Sequence, residues 1–167
     1  MFSFKGPVFS FLLAFVACSC VNFQDKDDGP ATPAAVESDS IGFQAALDAH
    51  LNAVRQHDFE ALKRTVPASG PMHLVLPNGA HFATAEEFLS LHEEWFQDTS
   101  WTFETKILNT DIGDKIGLAT TEIVYREPDR NGEPYFNRMI VSYGLEKIDG
   151  QWYVIKDHAS SIEKSTD

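Results

Sequence analysis

Apolar residues downstream of Ser40 recur with the period of an α-helix. They return every three or four positions as far as Val54, which predicts a helix from about Ile41 to His57 with Ser40 as its N-cap. Asp58 is placed to cap a second, shorter helix over Phe59 to Thr65. The folded part of the chain is therefore expected to begin with two helices.

A short hairpin and a third helix are predicted next. Met72 to Leu76 is a short apolar strand, the turn Pro77-Asn78-Gly79 follows it, and Ala80 to Phe82 can return as a second strand. Thr84-Ala85-Glu86-Glu87 has the pattern of a capping box, in which the side chains of the first and last residues bond to each other's backbone N–H groups. We expect it to open a helix that ends near Gln97.

The period then changes from 3.6 to 2, as expected for strands with one buried face. Asp149-Gly150 is a tight-turn signal between the last two of these segments. Helices that precede a run of strands predict an α+β fold, with three helices packed against one face of an antiparallel sheet. The predicted long strands are Trp101–Ile107, Ile116–Arg126, Tyr135–Lys147 and Gln151–Ser161.

The N-terminal segment has the features of an export signal. Lys5 precedes an apolar run from Val8 to Ala17, whose ten residues would span about 15 Å as a helix, too short for a bilayer core of about 30 Å. The small residues before Cys18 resemble a bacterial lipobox, in which the cysteine is lipidated; Cys20 is the alternative site. We therefore predict an exported, membrane-anchored lipoprotein, either periplasmic or at the cell surface. The alternative is an ordinary secretory signal and a secreted protein.

This interpretation divides the chain into three parts. Residues 1–17 form the signal peptide, residues 18–39 a disordered tether, and residues 40–163 one folded domain. The tether prediction rests on its Pro, Gly, Ala and acidic residues, which show no apolar period between Val21 and Asp39.

Charge and cysteine content exclude several classes of function. The formal net charge is −12, which argues against binding to nucleic acid or docking on anionic lipid, since both need a basic surface. The only cysteines, Cys18 and Cys20, precede the predicted domain. The domain therefore has no disulfide, no catalytic thiol and no cysteine ligand for a metal.

Two motifs stand at opposite ends of the predicted domain. One is the C-terminal turn Asp149-Gly150-Gln151-Trp152 with the strand ending Val154–Ser160, and Arg138 lies on the strand before it. The other is the junction His57–Leu62 between the first two helices. Both motifs resemble those of the SnoaL-like and ketosteroid isomerase-like families of the nuclear transport factor 2-like (NTF2-like) superfamily. The resemblance implies a strongly curved sheet that forms a cone with the helices, a pocket inside the cone, and dimerisation through the sheet face.

The resemblance does not transfer a catalytic set. The isomerases of this superfamily use an Asp base with a Tyr and a protonated carboxylic acid as donors to the oxyanion. The first predicted helix here has no Tyr, and the strand Met72–Leu76 has no acidic residue that could be the base. The family contains isomerases, cyclases, dehydratases and non-enzymes, so it leaves the activity open.

Helical geometry directs several polar side chains toward the interior. At about 100° per residue, His50 and His57 lie on the apolar side of the first helix and His92 on that of the third. His158 adds another if its strand faces the same way. If the protein is an enzyme, His92 and His158 are the candidates for acid–base catalysis. The other residues expected to line a pocket and bind a ligand are His50, Trp95, Trp101, Tyr125 and Arg138.

A structural role is the alternative for each of these polar residues. Each histidine could be satisfied by a backbone or carboxylate partner in the core, and Arg138 could pair with Asp157 or Glu122. The histidine spacings match no zinc motif, so we expect no metal and no cofactor. His73 and His81 are expected at the surface of the short hairpin.

Two functions remain open from the sequence. The first is a binding module outside the cytoplasm, whose pocket or sheet face takes a small apolar molecule or a second copy of the chain. The second is a small isomerase, dehydratase or cyclase that uses an inward-facing histidine as acid or base.

Overall fold

The computed structural model describes residues 33–166. The predicted signal peptide, the lipidation site at Cys18 and most of the predicted tether lie outside this range. Within it, no helix is long and apolar enough to cross a membrane. The helices are α1 (Pro33–Arg55), α2 (Phe59–Lys63) and α3 (Ala85–Trp95), and the strands are β1 (Pro71–Val75), β2 (His81–Thr84), β3 (Thr102–Ile112), β4 (Ile116–Arg130), β5 (Glu133–Ile148) and β6 (Gln151–Lys164).

The first helix is longer than its sequence pattern predicts. It begins at Pro33, and proline is tolerated in a first helical turn because the N–H groups there have no partner within the helix. The tether prediction is therefore wrong over residues 33–39. At the other end His57 takes a left-handed conformation with φ +55°, and the Asp58 amide donates to the Ala53 carbonyl oxygen at 2.9 Å. These contacts end α1 and turn the chain into α2.

The third helix begins at the capping box that the sequence predicts. The Glu87 amide donates to Thr84 Oγ1 at 3.2 Å, and the Thr84 amide donates to Glu87 Oε2 at 3.2 Å. Two N–H groups at the start of α3 are satisfied in this way. The predicted α3 and its N-terminal boundary are thus confirmed.

The six strands form one curved mixed sheet in the order β2-β1-β6-β5-β4-β3. All neighbours are antiparallel except β1 and β6, which are parallel. The α+β class and the four long antiparallel strands are confirmed, whereas the parallel pair was not predicted. The Asp149-Gly150 turn joins β5 to β6 with both φ angles positive, +51° and +84°, as a tight hairpin requires.

One face of α1 fills one end of the curved sheet. Phe43 and Leu47 are fully buried, and the Phe43 ring packs edge-on against Trp152 with ring centroids 5.4 Å apart. Gly117 on β4 lies against the same ring. A Cβ atom at position 117 would be 2.4 Å from Phe43 Cε2, closer than carbon atoms can approach without movement. The helix sits this close to the sheet because residue 117 has no side chain.

We expect Gly117→Ala to lower the free energy of unfolding by about 1–3 kcal/mol, because the added methyl group overpacks the contact with Phe43. Urea denaturation followed by circular dichroism measures the change. Combining it with Phe43→Leu gives the methyl group room. The double variant should therefore be more stable than the sum of the two single changes predicts. Strictly additive changes would contradict the contact as the cause.

Candidate functional site

A cavity of about 780 Å³ occupies the end of the sheet that α1 does not fill. Its walls come from α3, from the end of β1 with the turn after it, and from the inner face of β3 to β6. Most of the lining is apolar, which favours ligands with apolar surface. The apolar wall residues include Val54, Leu74, Leu76, Leu91, Phe103, Ile123, Met139 and Val141.

Aromatic residues form one side of the cavity. Trp95 and Tyr125 both line it, with ring centroids 5.9 Å apart, as the sequence analysis expected. Trp101 is buried behind Trp95 instead of lining the cavity, and the two indoles stack at 4.2 Å with their planes 10° apart. Trp101 therefore supports the wall and holds the orientation of Trp95.

A hydrogen-bonded cluster fixes the cavity wall at the β4–β5 hairpin. Glu127 accepts from the Tyr125 hydroxyl at 2.6 Å and from Arg130 Nε and Nη2 at 2.9 and 2.5 Å. The Arg130 guanidinium lies over the Tyr135 ring, 3.4 Å from its centroid. Hydrogen bonds from Arg130 hold the pKa of Glu127 below its ordinary value. The carboxylate is thus charged, and the hairpin end of the cavity is ordered before any ligand arrives.

Asp157 and Tyr143 lie next to each other in the cavity, on β6 and β5. They are register partners, and both side chains are directed inward. Burial raises the pKa of Asp157 to about 7. Burial is also the main reason that the pKa of Tyr143 is raised, and the neighbouring Asp157 adds to it. Near neutral pH, Asp157 can therefore either donate or accept a proton, as a general acid or base must.

His92 also lines the cavity, from α3. Its Nδ1 lies 2.8 Å from the Phe88 carbonyl oxygen, which can only accept, so Nδ1 carries the proton and Nε2 is left as an acceptor. Burial lowers the pKa of His92 to about 4, and the ring is therefore neutral at physiological pH. This is the one predicted catalytic histidine that faces the cavity.

His50 is a core residue below the cavity. It is fully buried and does not line the cavity. The Thr65 hydroxyl donates to the Leu62 carbonyl oxygen at 2.7 Å, so its oxygen accepts from His50 Nδ1 at 2.8 Å. Burial lowers the pKa of His50 to about 3. The expectation that His50 lines the pocket is wrong, and the structural alternative describes its position.

His158 lies on the outer face of the sheet, so the expectation that it faces the interior is wrong. The physical reason is a β-bulge. Two consecutive residues of β5 pair with Val154 and Lys156, which leaves Ile155 as an extra residue of β6. The inward side therefore changes from even-numbered to odd-numbered positions. Beyond the bulge Asp157 faces the cavity and His158 faces outward.

Arg138 is also on the outer face, where Nη2 forms an ion pair with Glu163 at 2.8 Å. It alternates with the inward-facing Asn137 and Met139. The expectation that Arg138 lines the pocket is wrong. The predicted ion pair with Asp157 or Glu122 is also wrong, because the partner is Glu163. Its ionic role is structural, at an exposed pair that contributes little to stability.

Sequence reasoning missed Asp157 and Tyr143 as cavity residues. Tyr143 could have been found, because it follows Met139 and Val141 at the spacing of one strand face. Asp157 could not, since continuing the alternation from Trp152 across an unseen bulge places it on the outer face. Between residues 33 and 166, no three His, Cys, Asp or Glu side chains are grouped to hold a metal ion.

Comparison with solved structures shows the same fold in proteins of low sequence identity. A proposed dehydratase of the NTF2-like family from Streptomyces avermitilis is 18% identical, with a TM-score of 0.63 over 75% of this chain and 97% of that one. A ketosteroid isomerase-like protein from Erwinia carotovora atroseptica is 16% identical, with a TM-score of 0.62 over 74% and 95%.

A third structure carries a different description. A proposed calcium/calmodulin-dependent protein kinase type II association domain from Thiobacillus denitrificans is 12% identical, with a TM-score of 0.61 over 72% of this chain and 94% of that one. No curated protein sequence matches the chain. The SnoaL-like domain family matches residues 44–163, most of the chain, and the protein therefore belongs to that family.

Proposed function

We propose that the cavity binds a small, uncharged and largely apolar molecule. The observation that carries this proposal is the cavity itself, whose volume of about 780 Å³ lies within the range of known ligand pockets, about 300–1,000 Å³. Its aliphatic and aromatic walls offer apolar surface for burial. Polar side chains interrupt this apolar surface and can orient a ligand, among them His92, Asn137, Tyr143, Asp157 and Ser161.

The polar groups indicate what the buried end of the ligand carries. Tyr143 is a hydroxyl donor, Asp157 is a donor when protonated, and His92 Nε2 is an acceptor. A hydroxyl or carbonyl oxygen on the ligand satisfies this set. A carboxylate placed beside Asp157 does not, because burial already disfavours negative charge there. The proposed ligand therefore has an apolar body and one polar, uncharged end.

An acid–base enzyme is the second candidate, and the pKa of Asp157 near 7 is the observation that favours it. In this candidate function, Asp157 transfers a proton to or from the substrate. Tyr143 and the neutral His92 hold the reacting oxygen of the substrate in position. The role predicted for His158 is not part of it, because that side chain is outside the cavity. Two of the similar folds are described as a dehydratase and as ketosteroid isomerase-like, and both reactions require proton transfer.

We further propose that the protein acts outside the cytoplasm, anchored through a lipid on Cys18. The support is the N-terminal sequence alone: Lys5, the ten-residue apolar run and the small residues before Cys18. A membrane anchor would keep the cavity close to the bilayer, where apolar molecules are concentrated.

Dimerisation through the outer face of the sheet is also proposed. Leu118 and Ile162 are each more than half exposed, 55% and 51%. Half-buried Ile140 on β5, between the strands that carry them, is a third apolar side chain on this face. A second copy that packed there would bury all three side chains.

We expect Met139→Trp to weaken binding of Nile red, an uncharged apolar dye, by about tenfold or more, because the larger ring fills the cavity. Fluorescence titration measures the affinity. Leu108→Trp, at an exposed leucine on β3 outside the cavity, is the matched control and should leave the affinity unchanged. Native mass spectrometry of the purified protein then identifies any retained molecule. Equal affinity in both variants would contradict the cavity as the binding site.

The raised pKa of Asp157 gives a signed dependence of stability on pH. A carboxyl whose pKa is about 7 when folded and near 3.9 when unfolded binds more protons in the folded state. The contribution of this carboxyl to stability therefore falls as pH rises from about 4 to 7. Asp157→Asn removes this loss, and the variant should gain stability relative to wild type over the same range. We expect a gain on the order of 2 kcal/mol, since Asp157 keeps some exposure to the cavity.

Urea denaturation of both proteins at pH 4.5 and 8.0 measures this difference. If wild type and Asp157→Asn changed in stability by the same amount between these pH values, the pKa of Asp157 would not be raised. The acid–base candidate would then lose its support. The dye titration of Met139→Trp tests ligand binding and does not depend on the pKa of Asp157. The two candidate functions can therefore fail separately.

We expect the wild-type protein to sediment as a dimer at micromolar concentration and Leu118→Glu to sediment as a monomer. A buried carboxylate on each side of the interface repels its counterpart and loses its hydration. Analytical ultracentrifugation measures both. The control is Leu108→Glu on β3, an exposed leucine outside the proposed interface. A monomeric wild type would contradict the dimer.

A further inference from the structure

A pair of histidines lies on the β1–β2 hairpin, apart from the cavity. His73 Nδ1 is 3.2 Å from His81 Nε2, and the two rings are nearly parallel, with centroids 5.4 Å apart and planes at 18°. Both side chains are exposed. A hydrogen bond between two imidazole nitrogens requires one of them to be unprotonated. The pair therefore already includes a neutral ring, the form that binds metal ions.

We propose that His73 and His81 together bind one divalent transition-metal ion, Zn²⁺ or Cu²⁺, with water completing the coordination. Imidazole is a preferred ligand of both ions. Metal–nitrogen bonds of about 2.0–2.1 Å place two ligand nitrogens about 2.9 Å apart at a right angle and about 3.3 Å apart at the tetrahedral angle. The observed 3.2 Å lies between these values, so the two exposed rings need only small rotations to hold the ion. The proton between the two nitrogens then moves to the other nitrogen of its ring or is released to water, which leaves both facing nitrogens as ligands.

The hairpin holds the two histidines in place without the ion. The Leu76 amide donates to the Ala80 carbonyl oxygen, and the Gly79 amide to the Leu76 carbonyl oxygen, each at 2.9 Å. Strand β1 is also paired on its other side with β6, which anchors His73. Preorganised ligands lose little conformational freedom on binding, which raises affinity.

The electrostatic surroundings favour a cation. Glu87 lies near His81, and its Oε2 atom accepts from the Ala83 amide at 2.8 Å. That hydrogen bond is the main reason the pKa of Glu87 is lowered, and the charge of His81 contributes. An ionised carboxylate beside the pair, in a chain of net charge −12, attracts a metal ion.

An anion is the competing ligand for the same surface. Lys156 is the register partner of His73, and His158 is nearby on the same face, so basic side chains flank the pair on the β6 side. An anion would be bound best with both histidines protonated, whereas the hydrogen bond between them forms only when one of the two rings is neutral. A cation and an anion respond in opposite directions to removal of the Lys156 charge, so Lys156→Gln distinguishes them.

The experiment is calorimetric titration of ZnCl₂, and separately CuSO₄, into the untagged full-length chain. Cys18→Ser and Cys20→Ser are present throughout, because thiolates bind both ions. We expect one ion per chain. Each of His73→Gln and His81→Gln should weaken binding about tenfold or more, because one ligand of a chelating pair is lost. Circular dichroism confirms that these surface variants remain folded.

Three controls decide the proposal. His158→Gln, a histidine on the same face, should bind as the parent chain does, and MgCl₂ should give no binding, because Mg²⁺ prefers oxygen ligands. Lys156→Gln should bind Zn²⁺ as tightly or more tightly. No zinc binding in the parent chain, unchanged binding in both His73→Gln and His81→Gln, or weaker binding in Lys156→Gln would each overturn the proposal.

Discussion

Packing of one face of α1 against the inner surface of the curved sheet is the interaction on which the rest of the structure depends. Phe43 reaches the sheet at Gly117, where no side chain intervenes, and the adjoining turns of α1 fill that end of the interior. At the opposite end, Val54 and α3 face the sheet without filling the space between them, and the cavity forms there. Tyr143 and Asp157 lie at the boundary, which is why they are both buried and open to the cavity.

The sequence predicts the elements of this fold well because each depends on local chemistry. The apolar period of α1, the Thr84 capping box and the Asp149-Gly150 turn each act within a few residues. The site is less predictable because it depends on the register between strands. His92 was placed correctly from helical geometry. His158 was placed on the wrong face, because the bulge at Ile155 can be recognised only from the pairing of β6 with β5.

Several polar atoms in the interior are kept at a cost to stability. His50 Nε2 is buried with no hydrogen-bond partner among residues 33–166, and burial holds Asp157 partly protonated near neutral pH. An apolar core would avoid both costs. His50 lies below the cavity, whereas Asp157 lines it. The unfavourable burial of Asp157 is therefore located where a ligand could offset it with a hydrogen bond.

The stacked pair Trp95 and Trp101 gives the cavity its own optical signal. Two stacked indoles 4.2 Å apart with nearly parallel planes couple their electronic transitions, so their emission depends on their mutual geometry. Only Trp95 touches the cavity, and the remaining tryptophan, Trp152, is buried at the far end of the sheet against Phe43. A ligand that displaced the Trp95 ring would therefore change the emission of the stacked pair, whereas Trp152 does not line the cavity, so entry of a ligand can be followed with no attached label.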